Sequence, residues 1–415
     1  MGAVATEIER VVREERRQLL ATVVRIVRDL QTAEDVVQDA VVAALRTWPE
    51  QGIPDRPGAW LLVTARRRAL DRTRARVRNE ARVGALRQYE AGLQRFADPD
   101  AVVESIPDDQ LRLMFVCCHP SLSPTSQVAL TLRHVAGSST EAIARSFLVP
   151  IPTMAQRLTR AKQTLRDAPD PLEEPPPGER ASRLEAVMRV IYLTFHEGYT
   201  NPGREDDGPS LVEEALRLAA LLVRLTERRE PEALGLLALL RIQASRTLSR
   251  VDDRGELVLI QHQDRSQWDR ALANQGCRDL TEALQQGRPG SYQLQAAIAA
   301  CHAEAPTWPD TDWPQIVALY DALMAVEPSP VVALNRAVAV GIAEGPDRGL
   351  AETEALAEFA GMQRYHLWHA CRADWLRRLG RLEQARLAYE RALSLTDNDR
   401  EQVFLRSRLE ECRLD

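Results

Sequence analysis

An arginine-rich segment is the first part of this 415-residue sequence whose side chains could bind another molecule. Between residues 60 and 78 it holds seven arginines against one acid, Asp71, and four-residue spacing places Arg68 and Arg72 on one helix face. Guanidinium groups on such a face neutralise the phosphates of nucleic acids. A solvated helix face in an arginine-preferring protein is the alternative, since Lys162 is the sole lysine of the chain.

A second pattern, from Ser138 to Lys162, predicts a helix-turn-helix. Ser139 or Thr140 suits the start of a short helix, and Leu148-Val149-Pro150 suits the turn. We expect Ile143, Phe147, Val149, Met154 and Leu158 to face inward, and Thr153, Gln156, Arg157, Arg160 and Lys162 to be exposed. Arginine and glutamine on such a face make paired hydrogen bonds to base edges. Because the turn lacks the usual glycine, an ordinary pair of packed helices remains the alternative.

Two other groups of side chains suggest metal or acid-base chemistry. Cys117-Cys118-His119 invites a metal site, but adjacent cysteines rarely chelate one ion, so buried helix residues are the preferred interpretation. The six cysteines contain no C-x-x-C pair and predict no disulfide framework. His196 and Glu197 could serve an enzyme, but no second histidine or glycine-rich phosphate loop completes a site there. We therefore expect no catalytic residue, no metal and no cofactor.

Helices must position all of these residues, because apolar side chains recur at three- and four-residue spacing almost everywhere. This pattern predicts an all-α fold. One helix covers Leu19 to Leu30 and the next Val36 to Leu45; a break follows at Trp48 to Pro57, where a third helix begins. One strand-like interruption is expected near Leu257 to Ile260.

Length and charge divide the chain into domains of different character. A chain of 415 residues is long enough for two to three domains. Residues 1–168 hold 25 Lys and Arg against 20 Asp and Glu, whereas the remainder holds 29 against 40. A basic front suggests nucleic-acid contact, for which an acidic rear can compete. The apolar runs are too short to span a bilayer and no signal peptide is recognised, so the sequence predicts a cytoplasmic protein without membrane contact.

The carboxy-terminal segment predicts a helical repeat. Small and large residues match a tetratricopeptide helix pair, with Gly380 at the turn, at Ala373, Leu376, Ala385, Tyr389 and Ala392. A looser copy lies about 36 residues earlier, at Asn335, Ala337 and Val340. Stacked pairs leave a concave surface suited to a peptide or protein segment. Since only one copy is clean, a non-repetitive helical domain remains the alternative.

Three segments, in the right order, resemble the sigma-70 family of RNA polymerase sigma factors. Residues 33–40 resemble region 2.2, residues 60–74 resemble regions 2.3 and 2.4, and residues 111–166 resemble region 4. Region 3 is not recognised between them, which is typical of the extracytoplasmic-function group. Segments 190–199, 232–239 and 264–269 resemble the long carboxy-terminal extension of one such subgroup.

The resemblance implies a sigma factor that binds core RNA polymerase, through the beta-prime clamp and the beta flap, together with promoter DNA. The residues implied for the clamp are Asp35, Gln38 and Asp39. Those for the minus-10 element are Trp60, Arg66, Arg67, Arg68, Arg72 and Arg74. Those for the minus-35 element are Ser139, Thr140, Thr153, Gln156, Arg157, Arg160 and Lys162. A protein or peptide ligand is expected for the repeat domain.

We therefore predict six segments along the chain. They are region 2 at 5–82, a linker at 83–107, region 4 at 108–168, a proline-rich linker at 169–182, a helical extension at 183–300 and tetratricopeptide-like repeats at 310–412. The expected role of the extension is to modulate activity. The alternative function is a helix-turn-helix regulator with a tetratricopeptide sensor domain, which binds DNA without polymerase.

Overall fold

The computed structural model describes residues 2–79, 109–147, 149–168, 178–200, 210–252, 258–359, 361–396 and 399–414. These residues form helices joined by turns and loops and contain no β-strand, which confirms the all-α prediction. The predicted linker at 83–107, most of that at 169–182, and Leu148 and Leu257 lie outside the described ranges. The chain divides into two compact units, Met1–Glu227 and Arg228–Asp415. Within the described ranges, no helix has both the length and the apolarity needed to cross a membrane.

Three helices form the amino-terminal bundle: α1 (Gly2–Val27), α2 (Leu30–Gln51) and α3 (Pro57–Asn79). The predicted apolar face of α1 is buried, with Leu19 and Val23 at most 1 % exposed. Helix α2 is capped by Asp29, whose carboxylate accepts a hydrogen bond from the Thr32 backbone N–H at 2.8 Å. Helix α3 begins at Pro57, as predicted.

Helix α2 continues through the segment that was expected to break it. The break was predicted to begin at Trp48, but the helix extends to Gln51 with Pro49 inside its last turn. Trp48 is only 1 % exposed, and its ring packs edge-on against Trp60 with centroids 5.5 Å apart. Burial of this ring outweighs the hydrogen bond that Pro49 cannot donate. The chain turns only at Gly52, where φ is 85°, a backbone conformation that favours glycine.

The second helical block contains the predicted helix-turn-helix. A helix over 109–117 (α4) precedes α5 (Pro124–Leu130), which continues as a π-helix over Thr131–Ala136; α6 (Thr140–Ser146) and α7 (Ile151–Asp167) follow. Ser139 caps α6 and accepts a hydrogen bond from the Ala142 backbone N–H at 3.1 Å. The inward face expected from the sequence is buried at Ile143, Met154 and Leu158 and half-buried at Phe147 and Val149.

Two helices that follow the proline-rich linker also belong to the first unit: α8 (Arg180–Thr200) and α9 (Leu211–Leu225). A capping box formed by Ser210 and Glu213 starts α9. Arg217 on α9 donates hydrogen bonds to the carbonyls of Val135 and Ala136, at 3.4 and 3.2 Å, where the π-helix ends. The first compact unit therefore ends at Glu227, within the segment predicted as the 183–300 extension.

The second unit is a succession of helices. They are α10 (Pro231–Ala244), α11 (Arg270–Gln285), α12 (Ser291–Glu304), α13 (Trp313–Val326), α14 (Pro330–Glu344), α15 (Pro346–Ala355), α16 (His366–Arg378), α17 (Leu382–Leu393) and α18 (Asp399–Leu414). Helix α10 is buried on every side from Ala233 to Leu240. A strand-like interruption was predicted near Leu257 to Ile260. That prediction is wrong at Ile260, which begins a 3-10 turn, Ile260–His262.

The predicted carboxy-terminal helix pair is present as α16 and α17. Its expected core residues are buried, with Ala373 and Ala385 at 0 % and Tyr389 at 2 % exposure, and Gly380 turns between the helices with φ 72°. Trp375 and Leu376 belong to the same core, as do Leu405 and Leu409 of α18. The helix pair and its packing agree with the pattern, while the tetratricopeptide assignment itself stays a prediction.

Candidate nucleic-acid interface

Helix α3 separates its apolar and its basic residues onto different faces. Leu61, Ala65 and Ala69, at four-residue spacing, are 0 % exposed against the bundle. The arginines on the remaining surface are exposed at Arg67, Arg68, Arg72 and Arg74 and half-buried at Arg66. The bundle thus fixes the direction in which the guanidinium groups point. An exposed, fixed row of cations is what binding to a phosphate backbone requires.

Arg72 connects this basic face to the acidic face of α2. Its guanidinium donates a hydrogen bond to Asp39 Oδ2 at 3.0 Å and lies 3.7 Å from Asp35 Oδ2. Gln38, on the same side of α2, is exposed. The side chains of Arg72, Asp35 and Asp39 keep 42 to 48 % of their surface exposed. Ion pairs this exposed contribute about 0–1 kcal/mol, so a binding partner can replace them at little cost.

The ring of Trp60 is less accessible to a nucleic-acid base than its position in the sequence suggested. The ring is half-buried, and it packs against the buried Trp48. Its edge-on contact with Trp48 fixes the turn between α2 and α3. In this arrangement Trp60 is a packing residue rather than a free platform on which an unpaired base can stack.

Helix α7 presents the polar face that the helix-turn-helix pattern predicted. Thr153, Gln156 and Arg160 are exposed, and Arg157 is half-buried. At the start of α6, Ser139 is exposed and Thr140 half-buried. The buried Met154 and Leu158 anchor the opposite side of α7. Amide and guanidinium groups are therefore held on one side of a helix whose other side is fixed in a core.

Lys162 departs from this pattern, because it was expected to be exposed and is not. Its side chain is 18 % exposed, and its ammonium donates hydrogen bonds to Gln31 Oε1 at 2.6 Å and to Glu34 Oε2 at 2.9 Å. One turn further along α7, Arg166 lies 3.3 Å from the Asp29 carboxylate. The end of α7 therefore packs on the start of α2, a contact that no spacing within either segment predicts.

Glu34 is the centre of this contact. Its carboxylate also lies 3.7 Å from Arg16 and 3.7 Å from His134 Nδ1. Burial works against the charged form of Glu34, but the surrounding cations, with Lys162 donating a hydrogen bond, hold its pKa below its usual value. Burial lowers the pKa of His134 to about 3, although Glu34 opposes the shift. We call Glu34, Arg16, His134 and Lys162 the Glu34 cluster.

Comparison with protein families assigns these segments. Residues 11–79 match the model for sigma-70 region 2, and residues 112–165 match the model for sigma-70 region 4. Residues 183–284 match a family of unknown function, DUF6596. The helices α1 to α3 thus correspond to region 2, and α4 to α7 to region 4.

A protein of Rhizobium meliloti, described as uncharacterized, is 42 % identical over 402 residues, which cover 95 % of this chain and 93 % of that protein. The chain belongs to the family of this Rhizobium meliloti protein. It is also 27 % identical to the probable ECF RNA polymerase sigma factor SigI of Mycobacterium tuberculosis, over 46 % of this chain and 61 % of that protein. With the ECF RNA polymerase sigma factor SigK of Mycobacterium ulcerans it shares 28 % identity, over 36 % of this chain and 78 % of that protein. The matched regions and these relatives support a sigma-factor role for the chain.

In these terms the Glu34 cluster joins region 2 to region 4. Asp29 and Glu34 lie in region 2, whereas His134 and Lys162 lie in region 4, and Arg166 directly follows it. Sequence reasoning selected Lys162 for its charge but missed its acidic partners. The two halves of the contact are more than 100 residues apart, so periodicity has no signal for it.

Cys117 and Cys118 are buried, as the preferred interpretation predicted, and His196 lies at the surface. Burial raises the pKa of both thiols, that of Cys118 to about 12. Cys118 Sγ lies 3.6 Å from the Thr131 hydroxyl. His196 is exposed on α8 and stacks on Tyr192 with centroids 6.2 Å apart.

Proposed function

We propose that the chain is a sigma factor of the extracytoplasmic-function group, which binds core RNA polymerase and directs it to promoters. One observation carries the proposal: the stretches that match regions 2 and 4 each present an exposed polar helix face, on α3 and α7. Two DNA-binding faces of modest specificity on one polymerase gain selectivity from being tethered. The chain acts where the polymerase is, in the cytoplasm.

The proposal assigns parts to the predicted residues on the exposed faces of α2, α3 and α7. Asp35, Gln38 and Asp39 bind the polymerase clamp, and binding frees Arg72 from its two carboxylates to join the other α3 arginines on minus-10 DNA. On α7 the exposed residues Thr153 and Gln156, with Arg157, read the minus-35 element in the major groove, and Arg160 binds a phosphate of the same element. Lys162 reaches DNA only after it leaves Glu34.

We also propose that the remainder of the chain modulates this activity. Support comes from α9, within the stretch that matches DUF6596, because Arg217 bonds the carbonyl end of the π-helix in region 4. A change in α9 is thereby transmitted to region 4 directly. The helices over 310–412 are proposed as tetratricopeptide-like repeats that bind a protein or peptide.

Run-off transcription tests the sigma-factor proposal. Purified core polymerase is supplied with the DNA upstream of the chain's own gene, with and without the full chain. We expect a defined transcript only when the chain is present, and its loss on double charge reversal, Asp35→Arg with Asp39→Arg. The matched control is Glu50→Arg, an exposed acid near the end of α2. If the chain binds this DNA alone and never yields a transcript, the alternative, a helix-turn-helix regulator, is correct.

The modulation proposal needs a separate comparison. A chain that ends at Glu227, the last residue of the first compact unit, is compared with the full chain in the same reaction. Lower activity of the short chain means that the second unit supports transcription, and higher activity means that it masks the first. Equal activity at every concentration rejects modulation by the second unit.

A further inference from the structure

A cavity of about 160 Å³ lies within the first compact unit, and its lining includes no residue of α3 or α7. Its walls come from four elements: α1 in region 2, α4 and the π-helix in region 4, and α9 in the stretch that matches DUF6596. One water molecule needs about 10–15 Å³ of such space, so the cavity can hold a small organic or inorganic molecule.

The polar lining of this cavity is strongly basic. Three arginines, Arg17, Arg217 and Arg224, line it together with the amides of Gln18 and Gln110. Arg217 is already bound, since it donates to the Glu214 carboxylate as well as to the π-helix carbonyls. Glu214, which also interacts with the charge of Arg17, is therefore one carboxylate shared by three guanidinium groups.

The other polar side chains at the cavity have donors to spare. Among the residues that the structure describes, Arg17, Arg224, Gln18 and Gln110 make no hydrogen bond or ion pair with the protein. Gln18 and Gln110 are half-buried, and Leu113 and Leu221 form buried apolar wall beside them. Arg224 is exposed and Arg17 is half-buried, so water solvates these donors, and a ligand rich in acceptors would take the place of that water.

We propose that this cavity binds a small phosphorylated anion. Three guanidinium groups that share the single carboxylate of Glu214 leave a net charge of about +2, which calls for about two negative charges, and the planar fork of arginine matches pairs of phosphate oxygens. The amides of Gln18 and Gln110 donate to the remaining oxygens. Because the cavity rests on α1, region 4 and α9 at once, an occupant ties both sigma regions to the start of the extension. The site stands on the cavity and its lining, and does not depend on the proposed transcription activity.

Calorimetric titration of the full chain with inorganic diphosphate tests the proposal. We expect saturable binding, and a rise in the melting temperature that chloride at equal ionic strength does not give. Arg17→Gln and Arg224→Gln should each weaken binding by about tenfold, the effect of one lost charge-assisted contact. Hydrogen exchange should slow on adding diphosphate in residues 131–137 and 211–225, the π-helix and α9 walls. Neither arginine makes a structural hydrogen bond to another described residue, so both variants should fold.

Arg180→Gln is the matched control, because Arg180 is an exposed arginine at the start of α8 and lies outside the cavity lining. This variant should bind diphosphate as the natural chain does. The proposal is overturned by absence of saturable binding or by equal weakening in the control, which indicates general charge screening. It is also overturned if malonate binds as tightly as diphosphate, or if a short DNA duplex displaces diphosphate, since the site then takes carboxylates or nucleic acid.

Discussion

Lys162 on α7 in region 4 donates a hydrogen bond of 2.9 Å to Glu34 at the start of α2 in region 2. The two side chains are 18 and 16 % exposed, so neither charge is well solvated by water. Removal of one partner would leave the other charge partly buried without compensation, which costs more than the pair contributes. The contact also holds the end of α7 in region 4 against the start of α2 in region 2.

Substitution Lys162→Met should therefore lower the free energy of unfolding of the full chain by about 1–3 kcal/mol. Combining it with Glu34→Gln should cost less than the sum of the two single changes, because the second change removes the uncompensated charge. Urea titration followed by circular dichroism measures both quantities. Gln163→Ala, at an exposed neighbour on α7, is the control and should have little effect. Strict additivity would show that the pair contributes no coupling.

Acidification should lower the free energy of unfolding through the buried ring of His134. Its pKa falls from 6.5 to about 3 on burial, so the unfolded chain binds a proton there that the folded chain refuses. The contribution of His134 to the free energy of unfolding is fully present above pH 6.5. It is lost as the pH falls towards 3, by roughly 1.4 kcal/mol per pH unit within that window. Glu34, Lys162, Arg133 and Arg16 surround the ring.

Unfolding titrations between pH 6.5 and 5 measure this slope before most carboxylates protonate. The variant His134→Gln, which cannot take up a proton, should show a flatter dependence by about that amount. A slope that is identical in the variant and the natural chain would mean that His134 binds its proton equally well in both states.

The second unit offers a test that depends on packing alone. A Cβ atom at Gly341 on α14 would lie 2.6 Å from Gly349 Cα on α15 and 2.6 Å from the ring of the buried Trp375. Gly341→Ala should therefore destabilise the second unit by about 1–3 kcal/mol, although alanine favours a helix by roughly 1 kcal/mol. The smaller ring of Trp375→Phe, in the Gly341→Ala background, should recover part of the loss. Thermal unfolding checks both, and a gain in stability on Gly341→Ala would contradict the close approach.

Local sequence patterns were sufficient to predict most of the helices and their buried faces. Four-residue spacing of Leu61, Ala65 and Ala69, and the pattern around Ile143 and Met154, each depend on neighbours within one or two turns, so periodicity reports them directly. The order of segments resembling regions 2 and 4 was likewise readable, because those residues are contiguous along the chain.

Contacts between distant segments could not be predicted from the sequence, for a physical reason. Trp48 remains in the helix because its ring packs against Trp60. Lys162 is mostly buried because its ammonium donates a hydrogen bond to Glu34. Each outcome depends on a partner that another helix supplies, while propensity and charge describe each residue alone. The cavity near Arg17 and Arg224 is of the same kind, since its lining comes from four elements.

The exposed face of α7 leads to a prediction about base recognition. Gln156 is exposed on this face, and its amide can both donate to and accept from one base edge. In holoenzyme assembled with core polymerase, Gln156→Ala should relax preference at a single minus-35 base pair, by about 1–3 kcal/mol. Arg160→Ala should instead weaken all promoters alike and reduce the salt dependence of binding by about one phosphate contact.

Binding of a set of single-base promoter variants at several salt concentrations separates the two effects. Gln163→Ala serves again as control, because Gln163 is exposed on the same helix and bonds only locally, to Asp167 at 3.0 Å. This variant should change neither base preference nor salt slope. If Gln156→Ala leaves every minus-35 preference unchanged while the holoenzyme still forms, Gln156 does not read a base, and recognition belongs to the residues nearer the start of α7.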